Sequence, residues 1–318
     1  MKISVIGCGR WGSFIAWYLD HIGHDVSLYG REGSANMQRF LTERRNDYLQ
    51  LSDSMKLTTD LSSVLDSDTI VISIGAQNLE SLVSQLSQLG VKGKRFVLCM
   101  KGIEMGTGRR LSEIATQGLD ASNKVAVWIG PGHVQEFYNG VPNCMVIDSE
   151  DEETKACLVE QFSGELIRFY YGADLIGNEV GAAAKNVIGI AAGALDGLGL
   201  STLKGALMSR GTREIARLIK AMGGNELSAY GLCHLGDYEA TVFSQFSHNR
   251  RYGEMMVKGE EYGKLAEGCY TVKALLFLSE KYGVELPICS AVNDVLYNGA
   301  DAKQVLSGLF TRSLKQEF

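Results

Sequence analysis

The sequence predicts an α/β amino-terminal half, a doubly wound parallel sheet over residues 1–174, followed by an all-helical half over residues 175–318. Three observations predict it. A buried-strand pattern, a glycine turn and a helix pattern follow one another within about the first thirty residues. Short apolar runs, separated by helical patterns, then recur as far as Tyr171. Beyond about residue 175 the apolar spacing becomes helical and stays so.

Composition narrows the function classes. A chain of 318 residues fits two domains, and 45% hydrophobic with 21% charged residues is ordinary for a globular enzyme. The net charge of −6 argues against general affinity for nucleic acid or an anionic membrane, so any bound anion needs a local basic cluster. The longest apolar run, residues 181–200, carries Lys185 and Asp196 and is dense in Gly and Ala. It predicts a tightly packed interior helix and no stable membrane insertion. Seven scattered cysteines contain no Cys-x-x-Cys pair, and a strand starting at residue 2 leaves no room for a secretory signal. A cytoplasmic protein with reduced thiols is expected. A homodimer is the expected assembly, although no residue pattern specifies it.

The elements follow in order. Lys2–Ile6 is a buried strand, Gly7-x-Gly9-x-x-Gly12 a turn, Ser13–Leu19 a helix and His24–Tyr29 the next strand. In this context Gly7 permits the tight turn, Gly9 lets backbone approach a pyrophosphate and Gly12 lets the helix pack on the strand. The helix start then offers free N–H groups to phosphates. After the second strand, Arg31 suits a ribose 2′-phosphate and Glu32 stands one residue late for a 2′-hydroxyl, which favours NADPH while leaving NADH open. Strands at Asp68–Ile74, Arg95–Met100 and Lys124–Ile129 end at Gln77, at Lys101 and at the Gly130–Gly132 turn, where a parallel sheet binds ligands. Met145–Ile147 and Ile167–Tyr171 finish the sheet. Helices follow over the run around Ile188–Leu195, over Leu207–Met222, and over residues 269–282 and 288–298.

The chemistry falls in the second half. Lys185 stands among Ala, Gly, Val and Ile, where burial would lower its pKa toward the range useful for proton transfer to a carbonyl. The alternative is a lysine snorkelling from a helix. Asn186 and Asp237 could orient it, and Ser247-His248-Asn249-Arg250-Arg251 could hold a phosphate at a helix start.

These residues resemble the bacterial NAD(P)-dependent glycerol-3-phosphate dehydrogenases over nearly the whole chain. The resemblance runs through Gly7-x-Gly9-Arg10-Trp11-Gly12, Lys101-Gly102-Ile103-Glu104, Gly130-Pro131, Lys185-Asn186-Val187-Ile188, Leu207–Gly211, Gly236-Asp237, Asn249–Gly253, Glu267-Gly268 and Glu285–Ile288. It implies a Rossmann-type NAD(P) domain, and a helical domain like the carboxy-terminal domain of 6-phosphogluconate dehydrogenase. It implies that Lys185 is the general acid/base, with Lys101 and Asp237 in the catalytic group. Gly7, Gly9, Arg10, Trp11, Gly12, Arg31, Lys101, His248 and Glu267 would bind NADPH or NADH. Lys101, Gly130, Gly132, Lys185, Asp237, Thr241, Ser247, His248 and Asn249 would hold a small phosphorylated three-carbon substrate, dihydroxyacetone phosphate or sn-glycerol 3-phosphate. Two positions depart from the family pattern. His248 stands where the family has a phosphate-binding arginine, and Gly132-His133 replaces a hydroxyl residue and Phe. They keep open a related dehydrogenase with another hydroxy or keto substrate. A nucleotide-binding sensor without turnover is the remaining reading, and retention of Lys101, Lys185, Asp237 and Asn249 speaks against it.

Overall fold

The computed structural model describes residues 1–264 and 266–311. By internal contacts the chain forms two compact units, Met1–Lys101 with Arg109–Leu175, and Gly102–Gly108 with Ile176–Phe318.

The first unit is an eight-stranded sheet in the order β3-β2-β1-β4-β5-β6-β7-β8. Its strands are β1 Lys2–Ile6, β2 Asp25–Tyr29, β3 Lys56–Thr58, β4 Thr69–Ile72, β5 Arg95–Leu98, β6 Lys124–Ile129, β7 Asn143–Ser149 and β8 Ile167–Tyr171. Its helices are α1 Arg10–His21, α2 Ala35–Glu43, α3 Leu79–Gln88, α4 Leu111–Gly118, α5 Val134–Tyr138 and α6 Glu152–Phe162. Strands β1 to β6 are parallel, and β1 lies between β2 and β4, so the order reverses there. That switch point opens a crevice at the carboxyl ends of the strands. The expectation of a sheet parallel throughout fails at β7, which runs antiparallel to β6. The connection explains it. Five-residue α5 rises only about 8 Å, whereas six-residue β6 runs about 20 Å. The chain therefore re-enters the sheet from the end at which it left. The next connection carries the longer, eleven-residue α6, and β8 is parallel to β7. Strand β3 was not expected, being three residues long and without a fully buried residue.

The core under this sheet is aromatic. Trp128 packs edge-on against Phe169 at 4.9 Å and lies 5.7 Å from Phe162, while Tyr18 donates to the Phe162 carbonyl at 2.6 Å.

The second unit is helical, with α7 Leu175–Gly197, α8 Lys204–Ala221, α9 His248–Val257, α10 Gly268–Tyr282, α11 Pro287–Tyr297 and α12 Ala302–Gly308. Helix α7 is buried along Val180–Leu195 and forms the axis of its core. Glycines at four-residue spacing let α9 lie almost backbone to backbone on it. A Cβ on Gly193 would stand 1.8 Å from the Arg250 carbonyl oxygen, and one on Gly253 would stand 2.0 Å from that of Ile190. Gly189 faces Thr241 and Asn249, and Gly197 faces Val257. Elsewhere the buried Glu214 carboxylate of α8 accepts the N–H groups of Ile288 and Cys289 at 2.8 and 3.0 Å, capping α11 from another helix. No helix among the described residues is long and apolar enough to cross a membrane.

Replacing Gly253 by Ala should force α9 off α7 and cost about 1–3 kcal/mol, the range for overpacking a tight interior. Gly205→Ala, with nothing near its added methyl, should be neutral or slightly stabilising. Urea unfolding of the two variants checks this, and equal stabilities would contradict the close approach.

Candidate active site and cofactor cradle

In the first unit the glycine turn sits at the switch point. Gly7 has φ +113°, and a Cβ there would meet the Ser73 carbonyl oxygen at 2.1 Å. A Cβ on Gly12 would meet the Gly7 carbonyl oxygen at 1.9 Å, so both positions must be glycine. Around Gly9 there is open space instead, and Gly9 caps α1 without a side-chain hydrogen bond. The N–H groups at the start of α1 therefore face an open cradle that admits a phosphate. These features fit a dinucleotide. Arg10 lies over the Tyr48 ring at 5.9 Å, and Trp11 packs on Phe14 at 5.2 Å. Arg31 is exposed just beyond β2, in the turn closed by Ser34 N–H to the Arg31 carbonyl at 2.9 Å.

Lys101 follows β5, and its ammonium donates to the Gly130 carbonyl at 2.6 Å. That bond joins the ends of two parallel strands. Gly130 and Gly132 both have positive φ, +137° and +146°. A Cβ on Gly132 would lie 2.1 Å from the Phe137 ring, so this turn is closed to any side chain, including the missing hydroxyl. His133 is buried at the start of α5.

In the second unit Lys185 is only 7% exposed, and its ammonium faces Asp237 Oδ2 at 2.6 Å. It also donates to Thr241 Oγ1 at 2.8 Å. Burial is thus combined with a matched charge, and the lysine does not snorkel. Asn186, the next residue on α7, accepts from Asn249 Nδ2 at 3.0 Å, and Asn249 Oδ1 accepts from Gly268 N–H at 2.9 Å. This chain of amides ties α7, α9 and the start of α10 together beside Lys185. Glu267 immediately precedes α10.

The basic cluster divides. Ser247 spends its hydroxyl capping α9, accepting from Arg250 N–H at 3.3 Å. Arg250 is paired with Asp196 at 2.9 Å and with Glu254 at 2.8 Å. His248 opens α9, with its Nδ1 hydrogen-bonded to the Tyr262 hydroxyl, and Arg251 lies 5.8 Å from the centre of that tyrosine ring.

Sequence reasoning missed His234 and Tyr238, both completely buried. Their four-residue spacing around Gly236-Asp237 was the available signal. Burial pushes His234 down to about 4, against the opposing pull of its bond to the Gly181 carbonyl.

Models of the NAD-dependent glycerol-3-phosphate dehydrogenase N-terminus and C-terminus match residues 2–155 and 174–307. The chain belongs to that family. The glycerol-3-phosphate dehydrogenase [NAD(P)+] of Thermoanaerobacter sp. (strain X514) is 35% identical to it, covering 100% of this chain and 99% of its own length. That of Pelodictyon phaeoclathratiforme is 34% identical with the same coverage. The crystal structure of glycerol-3-phosphate dehydrogenase from Coxiella burnetii matches with a TM-score of 0.91 at 28% identity, covering 98% of this chain and 99% of that one. Family membership makes the chain an NAD(P)-dependent oxidoreductase acting on a CH–OH group.

The buried His234 generates an acid-linked instability. Unfolded, the ring titrates near 6.5; folded, near 4. Between these values the unfolded chain binds the extra proton, so the contribution is intact above about pH 6.5, declines as pH falls and levels off below about 4. Urea unfolding at pH 7 and pH 4 should show a loss of about 3 kcal/mol from this group. His234→Asn should lack it, and equal pH dependence in the two proteins would contradict neutral burial.

Proposed function

We propose that this protein is a glycerol-3-phosphate dehydrogenase, interconverting dihydroxyacetone phosphate and sn-glycerol 3-phosphate and supplying the latter for phospholipid synthesis. The observation that carries the chemistry is the buried Lys185–Asp237 pair with Thr241 at its side. The reading includes a homodimer in the cytoplasm, and the free state of all seven cysteines suits a reducing compartment. It also takes residues 1–174 as the cofactor domain and residues 175–318 as the substrate domain.

The glycine turn Gly7-x-Gly9-x-x-Gly12 and the start of α1, with Arg10 and Trp11, would hold the dinucleotide pyrophosphate, and Arg31 the ribose end. When bound, the nicotinamide supplies the hydride in reduction. The Lys185 ammonium gives a proton to the ketone oxygen as negative charge develops there, forming the alcohol O–H. Asp237 keeps that buried lysine oriented and its charge matched. The amine left behind recovers a proton from solvent before the next turnover. In the oxidising direction the same amine removes the hydroxyl proton. Thr241 and Asn249 hydrogen-bond substrate hydroxyls, and His248, held by Tyr262, serves the phosphate end. Lys101, anchored on Gly130, adds positive charge for cofactor and substrate, and Glu267 contacts the cofactor. Gly130 and Gly132 shape the turn, whereas Ser247 acts through its helix cap.

Oxidation of NADH and NADPH by the purified protein tests the reading. Turnover with dihydroxyacetone phosphate should far exceed that with a panel of unphosphorylated and acidic carbonyl compounds. A different preferred compound would assign the site to another hydroxy or keto substrate. Lys185→Ala should lose about three or more orders of magnitude in kcat while still binding NADPH, a scale set by general acid catalysis and charge stabilisation together. Parental turnover in that variant would remove Lys185 from the mechanism. Arg31→Ala should raise the KM for NADPH about tenfold, as expected for about 1.4 kcal/mol of a charged contact. The KM for NADH should not change, and an equal effect on both cofactors would place Arg31 away from the 2′-phosphate.

A further inference from the structure

The segment carrying Asp237 has no regular α-helix to hold it. Leu235–Asp237 is a 3-10 turn and Glu239–Phe243 a single π-helical turn, both weakly bonded pieces. Its register against α7 must come from side chains. One bridge is the Lys185–Asp237 ion pair. The second is His234, whose Nδ1 lies 2.8 Å from the Gly181 carbonyl oxygen. Gly181 and Lys185 are one helical turn apart on α7, and His234 and Asp237 are three residues apart on the facing segment. The two bridges thus close a small frame. In an α-helix the residue 181 carbonyl also accepts the N–H of residue 185, so His234 grips the peptide that fixes the Lys185 backbone. Gly181 makes room for it, because a Cβ there would stand 2.9 Å from His234 Cβ.

The histidine is itself held in one state. A carbonyl can only accept, so Nδ1 carries the hydrogen, and Nε2 accepts from the Tyr238 hydroxyl at 2.7 Å. The two rings meet edge to face at 4.9 Å, both fully buried. Tyr238 directly follows Asp237, so its anchoring fixes the aspartate backbone from the other side.

We propose that His234 and Tyr238 are positioning residues for the proton-transfer pair. The Gly181 carbonyl fixes the Nδ1–H tautomer of His234, the Tyr238 hydroxyl satisfies the opposite nitrogen and holds the ring, and the bond from Nδ1–H to Gly181 sets Asp237 in register with Lys185. The inference rests on Lys185 and Asp237 acting in catalysis as proposed above.

The test compares His234→Leu, His234→Asn, Tyr238→Phe and Lys185→Ala in dihydroxyacetone phosphate reduction, with NADPH affinity and thermal melting measured on each. His234→Leu should lose about 10- to 100-fold in kcat, the scale of displacing a catalytic group by about 1 Å. Its NADPH Kd should be unchanged. His234→Asn keeps a donor where Nδ1 stood, and should recover most of kcat while melting as low as His234→Leu. A purely structural role would not separate activity from stability in this way. Tyr238→Phe should lower kcat several-fold at unchanged Kd, and it decides the matter alone if His234→Leu does not fold. Parental kcat in folded His234→Leu or in Tyr238→Phe, or His234→Asn as slow as His234→Leu, would overturn the proposal. Parental turnover in Lys185→Ala would instead overturn the reading beneath it.

Discussion

Two backbones can touch only where side chains are absent, and the second unit is organised around one such contact. Gly189, Gly193 and Gly197 of α7 meet α9 at Asn249, Arg250 and Val257, while Gly253 of α9 returns the contact to Ile190. Interiors are packed too densely to absorb even one extra methyl at these distances. The close approach is what lets a short asparagine on α9 reach a short asparagine on α7, and from there the first N–H of α10. Longer polar side chains would have bridged a wider gap only at the expense of rotamer freedom.

Two sets of charges in the same unit are matched. Asp237 answers Lys185, and Asp196 answers both Lys204 and Arg250. Removing one member of such a set leaves the other uncompensated in a poor solvent for charge. The ammonium proposed to move a proton is therefore held ready by a carboxylate. The second set ties Arg250 of α9 and Lys204 of α8 to Asp196 of α7.

Much of this was legible in the sequence. The glycine turn identified the switch point because its spacing is dictated by backbone clashes, which Gly7 and Gly12 meet. Lys185 announced itself as one charge in an apolar run. The direction of β7 was not legible, because it depends on how far α5 can carry the chain and not on the pattern within the strand. His234 and Tyr238 were also overlooked. Their four-residue spacing signals that the two rings can meet, but the backbone partner that buries the histidine, Gly181, lies 53 residues away in the chain. The capping of α11 by Glu214 was hidden for the same reason.

The turn after β6 has a consequence for how this chain can change. Gly132 is shut by backbone conformation and by the Phe137 ring together. A hydroxyl residue could not be restored there by one replacement, since the ring would have to shrink at the same time. Phe137 in turn stacks on Phe14 of α1 at 5.1 Å. Positions 132, 137 and 14 are thus locked as one inheritable block, and drift at any of them is conditional on the other two.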